Sequence, residues 1–314
     1  MDLSIVIPVY NVSEYIEECL NSVLEITGIS YEVIVIDDGS TDNSLEKIAQ
    51  ICEQQDHVRI ISRENKGLSV TRNEGLKLSH GEYVYFMDSD DWIDADKLVT
   101  LFKRGNENLA DVIIGNVYQF DAKGVEKYPN AIPCDVAVTG KQVLTDYYLK
   151  CCSSVVWRSI YRKDFLLKNN LFFLEGVYFE DIEWTPRVLY YSNKVFLSSC
   201  YFYYYRMRAG SICLSNFSEK KLIDSIVVLN AMINFNEKYL LNNKGIEKIY
   251  NKIILSFLFQ SIVRAYNSNI TVENSLINKM LVKIKPIGLM HSAIYLMYKI
   301  LPKRAFIFLY NKLK

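Results

Sequence analysis

Apolar positions in the first hundred residues follow two alternating rhythms. Leu3 to Val9 is a short run of buried-strand character, and after the polar break Asn11 to Glu14 the positions Ile16, Cys19, Leu20, Val23 and Leu24 recur at helical spacing. Val33 to Ile36 is a second, β-branched run that stops at Asp37-Asp38-Gly39-Ser40. A helix carrying Leu45, Ile48, Ala49 and Cys52 follows, with its cap expected within Thr41 to Ser44. Val58 to Ser62, Tyr83 to Met87 and Asp111 to Val117 repeat the strand signal, and helices are expected near Ser69 to Leu78 and Asp94 to Asn108. This alternation predicts an α/β fold with a mostly parallel sheet flanked by helices. Ligands of such sheets sit beyond the carboxyl ends of the strands, so chemistry is expected just after each apolar run.

Later in the chain, Phe179-Glu180-Asp181-Ile182-Glu183-Trp184 opens another helical pattern, with Pro186 in its first turns and Val188 and Leu189 on its apolar face. From about Phe217 the strand signal disappears. Leu222, Ile226, Leu229 and Ile233, then Ile246, Ile249, Ile253 and Phe257, keep helical spacing and predict a helical C-terminal region. Past Glu273 there is no acidic residue, and the apolar stretches Pro286 to Tyr298 and Ala305 to Asn311 are broken by Lys299, Lys303 and Arg304. Neither is long enough to cross a bilayer. Two readings stay open for this tail: a basic amphipathic segment lying on an anionic membrane surface, or a terminal helix packed on the domain with its basic face in water.

Composition narrows the class. Of 314 residues, 50% are hydrophobic and 23% charged, too apolar for disorder and too charged for a multi-span membrane protein. The 36 basic and 36 acidic residues cancel, but eight of the basic ones lie in the acid-free stretch 274–314, leaving the body acidic. That balance argues against a nucleic-acid binder, which needs a basic surface. No Gly-x-Gly occurs, Gly140-Lys141 is followed by Gln142, and His57, His80 and His291 are far apart, so a dinucleotide fingerprint, a P-loop and a His-rich zinc motif are all absent. Seven Cys without Cys-x-x-Cys suggest buried thiols in a reducing compartment, and Met1 to Tyr10 carries no secretion signal. The expected location is the cytoplasm, with peripheral attachment to the inner face of the cell membrane if the tail binds lipid.

Strand ends are unusually polar. The first runs into Pro8-Val9-Tyr10-Asn11, the second into Asp37-Asp38-Gly39-Ser40 and the fourth into Asp88-Ser89-Asp90-Asp91, which brings five acids and one aromatic to one sheet edge. In extended backbone Asp88 and Asp90 point the same way, and two such carboxylates repel unless a cation or proton lies between them. A hard divalent ion, Mn²⁺ or Mg²⁺, completed by phosphate oxygens and water, meets that demand. The alternative is a solvated acidic turn in which Asp91 or Asp94 caps the next helix. Asp38 can accept the N3–H of a uracil, and Tyr10 offers a ring face for stacking. Arg72 either bridges phosphate oxygens with its planar fork or is an exposed helix arginine.

Four ordered segments carry a resemblance: Ser4-Ile5-Val6-Ile7-Pro8-Val9-Tyr10-Asn11, Val35-Ile36-Asp37-Asp38-Gly39-Ser40-Thr41-Asp42, Thr71-Arg72-Asn73-Glu74-Gly75 and Asp88-Ser89-Asp90-Asp91. Together they resemble family 2 glycosyltransferases of the GT-A (Rossmann-like) fold, of the bacterial surface-polysaccharide type. The resemblance implies a nucleotide-sugar donor, with Tyr10 and Asp38 at the base, Pro8 and Asn11 also among the substrate-binding residues, Arg72 near the phosphates, Asp88 near the ribose or metal, and Asp90 as metal ligand. It also makes Asp181 the base that deprotonates the acceptor, with Glu180 as its neighbour, in an inverting single displacement. Tyr203-Tyr204-Tyr205-Arg206-Met207-Arg208 resembles a further segment of such enzymes, in which Arg206 or Arg208 closes over the diphosphate or is a surface charge, and Val155 to Tyr161 is expected on the acceptor side. The Gln-x-x-Arg-Trp of processive members is missing, since Trp92, Trp157 and Trp184 lie in other contexts, and this favours single addition. Residues 1–215 are the expected GT-A domain, 1–118 its nucleotide-sugar half and 119–215 its acceptor half, followed by a helical region 216–314. A saccharide acceptor linked to polyprenyl diphosphate follows if the tail binds membrane. Two alternatives stand: a nucleotidyltransferase making the nucleotide sugar, and a non-catalytic membrane-associated scaffold.

Overall fold

A computed structural model describes residues 1–122, 124–128, 131–152, 154–208, 216–240, 243–271, 280 and 283. The basic tail expected over 274–314 and the segment from Ala209 to Ser215 lie outside the described residues, apart from Met280 and Lys283. The chain divides into two compact units, Met1–Gly176 with Glu180–Leu214, and Val177–Phe179 with Ser215–Lys314.

In the first unit the expected alternation forms β1 (Leu3–Val9), α1 (Ile16–Leu24), β2 (Tyr31–Asp37), α2 (Ser44–Cys52), β3 (Val58–Ser62), α3 (Leu68–Leu78), β4 (Tyr83–Phe86), β5 (Trp92–Ile93), α4 (Ala95–Glu107) and β6 (Val112–Asp121). After these come β7 (Gly124–Lys127), β8 (Val136–Val138), α5 (Gly140–Gln142) running into a π-helical turn at Val143–Tyr147, β9 (Ser159–Arg162), α6 (Lys163–Lys168), α7 (Glu180–Tyr191) and β10 (Val195–Arg206). The sheet runs β3-β2-β1-β4-β9-β6-β10-β5, with β7 on β6 and β8 on β10. Its first four strands are parallel, and β6 pairs β10 in parallel. Between these blocks β9 lies antiparallel to both β4 and β6, so the sheet is mixed beyond β4.

Strand β1 sits at the centre of the parallel half. Leu3, Ile5, Ile7 and Val9 face one core with Ile16, Cys19, Leu20, Leu98 and Phe102. Val6 faces the opposite side, where α3 lies so close that a Cβ on Gly75 would stand 2.2 Å from Val6 Cγ1. Asn43, at the N-cap position of α2, makes no side-chain capping bond, and Asp42 just before it accepts from the Ser44 N–H at 3.0 Å through Oδ1; Asp94 caps α4 by accepting from Lys97 N–H at 2.9 Å.

The second unit contains α8 (Glu219–Phe235), a π-helical turn at Asn236–Leu240 and α9 (Lys244–Asn267). Ser218 Oγ and Asn243 Oδ1 cap the two helices. The buried stripe of α8 runs through Ser225, Val228, Leu229, Met232 and Ile233, rotated from the expected one, so that Leu222 and Ile226 are half-buried. Among the described residues no helix is long and apolar enough to cross a membrane.

Candidate active site

Proline is tolerated in β1 because of where its missing N–H would point. Val6 O accepts from Met87 N, and Val9 O from Asp38 N, so even-numbered residues of β1 face β4 and odd-numbered ones face β2. Register with β4 ends at Val6↔Phe86, and Pro8 lies past it, where no ladder donor is needed. Beyond the strand, Tyr10 is 50% exposed and Asn11 takes φ +52°. Asn11 ties the first two strand-end loops together: its N–H donates to Ser40 Oγ at 3.1 Å and its Oδ1 accepts from Thr41 N–H at 2.7 Å.

Asp37 and Asp38 are both buried. Asp37 accepts from Ser40 N–H and Ser62 Oγ. Asp38 Oδ1 accepts from Lys66 N–H and Oδ2 from Gly67 N–H, each at 2.8 Å, and the carboxylate pairs with Arg63. It therefore clamps the turn before α3 against the end of β2, with Oδ2 still able to accept one further donor. Gly39 permits the close approach: it has φ +77°, and a Cβ there would lie 2.8 Å from Asn65 N.

Each residue of the Thr71 to Gly75 motif has a separate task. Thr71 accepts from Arg63 at 2.8 Å, Glu74 accepts from Arg63 Nε at 2.8 Å, and Asn73 binds both the N–H and the C=O of Phe173. Gly75 admits Val6. Arg72 is not an exposed helix arginine: it is 3% exposed, stacks over Phe173 at 5.5 Å, and bridges two carboxylates. One guanidinium nitrogen donates to Asp88 Oδ1 at 2.8 Å and the other to Glu180 Oε1 at 2.6 Å. A buried cation requires such partners, and here they come from segments 16 and 108 residues away.

The acidic loop after β4 splits its three carboxylates. Asp91 turns inward, accepting from Tyr203 Oη and from Arg206 N–H, and burial followed by repulsion from Asp90 and Asp88 holds its pKa well above the ordinary range. Asp88 and Asp90 stay partly open, with side chains 29% and 21% exposed. Burial raises the Asp88 pKa, the Arg72 charge opposes it and Asp90 adds to it. Asp90 Oδ2 accepts from Arg208 Nε at 2.7 Å. These hard oxygens, crowded by like charge, fit a divalent cation. Among the described residues no third His, Cys, Asp or Glu joins them, so the protein by itself would supply a cation with one or two carboxylates and leave its other positions to non-protein oxygens.

Helix α7 starts at Glu180, directly after Phe179 at φ +67°. Glu180 is buried on Arg72, and Asp181 is half-buried with its Oδ1 accepting its neighbour's Ile182 N–H at 2.9 Å. Burial first, then repulsion from Glu180, pushes the Asp181 pKa from 3.8 up to about 7, with Arg72 opposing. The carboxyl lies close enough to Tyr148 and Tyr161 to raise both phenols, though burial is the larger cause.

Arg72 thus unites Asp88 and the Glu180–Asp181 pair, while Tyr10, Asn11 and Asp38 occupy the neighbouring strand ends. Arg206 is held by partners of its own: Nε donates to Asp90 O at 3.0 Å, the terminal nitrogen pairs with Glu18, and the guanidinium covers Trp92 at 4.6 Å. Arg208, not Arg206, reaches a carboxylate of the Asp-x-Asp. The Val155 to Tyr161 segment is largely core, with Trp157 stacked on Tyr203 at 4.6 Å and Arg158 buried on Gly115 O and Asn116 Oδ1. Sequence reasoning missed Tyr15, Glu18 and Arg63. The first two lie beside an amphipathic helix start whose visible signal is its apolar face, and Arg63 stands in a polar turn with no periodicity to mark it.

The family description "Glycosyl transferase family 2" matches residues 4–169. The chain is 35% identical over 194 residues to the uncharacterized glycosyltransferase YibD of Escherichia coli, covering 60% of this chain and 56% of YibD, so it spans little more than half of that relative. It is 30% identical over 240 residues to the glycosyltransferase GlyG of Streptococcus pneumoniae, covering 74% and 79% of the two chains. The crystal structure of S. aureus TarS 1-349 in complex with UDP-GlcNAc shares the fold, with a TM-score of 0.64 at 23% identity over 85% of this chain and 84% of that one.

Proposed function

The chain belongs to the family 2 glycosyltransferases, and we propose that it moves one sugar, with inversion, from a UDP-sugar to a hydroxyl of a saccharide carried on a polyprenyl diphosphate, in surface-polysaccharide assembly. The observation that carries this reading is the Arg72 bridge, which holds Asp88 of the Asp-x-Asp and Glu180 on one guanidinium, with the raised Asp181 carboxyl beside Glu180. The UDP-GlcNAc held by the TarS neighbour supports the choice of donor class. In this reading Tyr10 stacks on the base and Asp38 accepts the uracil N3–H. Asp88 and Asp90 would hold Mn²⁺ or Mg²⁺, which when bound supplies positive charge against the diphosphate leaving group. Asp181 removes the acceptor proton as the hydroxyl oxygen attacks the anomeric carbon, and a base with a pKa of about 7 suits that work near neutrality. Arg72 pairs with Asp88 and Glu180, and its charge offsets part of the repulsion that Asp181 meets on ionisation.

A screen of UDP-sugars for Mn²⁺-dependent thermal stabilisation, followed by product analysis, tests the reading. The expected result is stabilisation by one UDP-sugar and release of UDP on addition of acceptor. Pyrophosphate release would replace it with a nucleotidyltransferase, and UDP binding without sugar turnover with a non-catalytic scaffold.

A further inference from the structure

The Asp90 carboxylate already has a cation beside it. Arg208 Nε donates to Oδ2 at 2.7 Å, and the guanidinium lies over the Tyr15 ring at 4.8 Å. The two arginines nearest the acidic loop otherwise differ from Arg208 in one respect. Arg72 cannot leave Asp88 without stranding the buried Glu180, and Arg206 is fixed on Asp90 O, Glu18 and Trp92. Arg208 is held by Asp90 and an aromatic face, and both members of the pair keep about a fifth of their side-chain surface in solvent. A guanidinium is also the side chain best shaped to exchange a carboxylate for a diphosphate.

We infer that Arg208 is a displaceable counter-ion that couples metal binding to donor binding. Without donor it occupies Asp90 and competes with the divalent cation; when a nucleoside diphosphate arrives, the guanidinium passes to phosphate oxygens and Asp90 is released to the metal. This rests on the donor and metal assignment proposed above. The coupling must be reciprocal, so the diphosphate tightens metal binding by the same factor as the metal tightens the diphosphate.

Titration of the full chain with Mn²⁺, followed by electron paramagnetic resonance of the free ion with and without UDP, tests the coupling. Without UDP, Arg208→Gln is expected to bind Mn²⁺ about tenfold more tightly than wild type, the scale of one charge-assisted hydrogen bond no longer to be displaced. Arg208→Lys, which keeps the charge, is expected to stay near wild type, and the gain in Mn²⁺ affinity caused by UDP is expected to shrink in Arg208→Gln. Arg208→Met keeps an unbranched stem over Tyr15 and repeats the measurement if the Gln variant is recovered unfolded. Equal Mn²⁺ affinity of wild type and the uncharged variants without UDP, with both binding Mn²⁺ in its presence, overturns the inference alone. Absence of Mn²⁺ binding in every protein while UDP still binds overturns the metal assignment and this coupling together.

Discussion

Removing the Glu180 charge by Glu180→Gln tests whether Asp181 is the base tuned by its surroundings. Gln keeps an oxygen for the Arg72 hydrogen bond at 2.6 Å but no longer repels the neighbouring carboxylate, and it leaves more of the Arg72 charge to act on Asp181. Both effects lower the Asp181 pKa. Loss of one close like charge moves a carboxyl by about one pH unit, or about 1.4 kcal/mol, which takes Asp181 from about 7 to roughly 6. The ionised fraction at pH 6 then rises from about one tenth to about one half, while at pH 8 it is near complete in both proteins. The ratio of variant to wild-type kcat/KM should therefore increase about fivefold between pH 8 and pH 6, whatever its absolute value. Initial rates of UDP release over pH 5.5 to 8.5 at low donor concentration measure it. An acid limb that stays in place, or moves upward, would refute the assignment of Asp181 as a base restrained by Glu180.

The same carboxyl makes a stability prediction. A folded-state pKa raised from 3.8 to about 7 favours the protonated form, so ionisation of Asp181 destabilises the fold fully above pH 7 and not at all below about pH 4. Asp181→Asn should abolish transfer yet raise stability at pH 8 by at most about 4 kcal/mol in urea unfolding, the gain fading as the pH falls towards 4. Asp90→Ala should lower turnover ~10²-fold or more at saturating Mn²⁺, the scale for loss of a preorganised electrostatic group, and near-wild-type transfer would remove its role. Gly75→Ala should cost about 1–3 kcal/mol by overpacking, because its methyl would stand 2.2 Å from Val6 Cγ1; an unchanged Tm would show that α3 can shift freely. Truncation at Thr271 should reduce sedimentation with anionic liposomes, whereas undiminished binding would exclude the basic tail as the membrane contact.

Much of the first unit was legible because its rules are local. An apolar run of four to seven residues marks a strand, the spacing in α1 marks a face, and Asp94 caps the helix it precedes with no help from elsewhere. The polar strand ends were readable for the same reason, since a parallel sheet places its ligands past them. Other features were not local. Whether Arg72 was an exposed helix arginine or a buried bridge depended on Glu180, 108 residues on, and the rotated stripe of α8 depended on what packs along it. Likewise, the arginine that faces Asp90 was Arg208 rather than Arg206, because Trp92, Phe120 and Glu18 together claimed Arg206 first. The chain by itself determined which strands and helices form and which carboxylates reach the sheet edge, through periodicity and short-range hydrogen bonding. Only the tertiary structure decided how those carboxylates are paired, since a charge taken out of water must find its partner wherever the fold brings one, at any distance along the sequence.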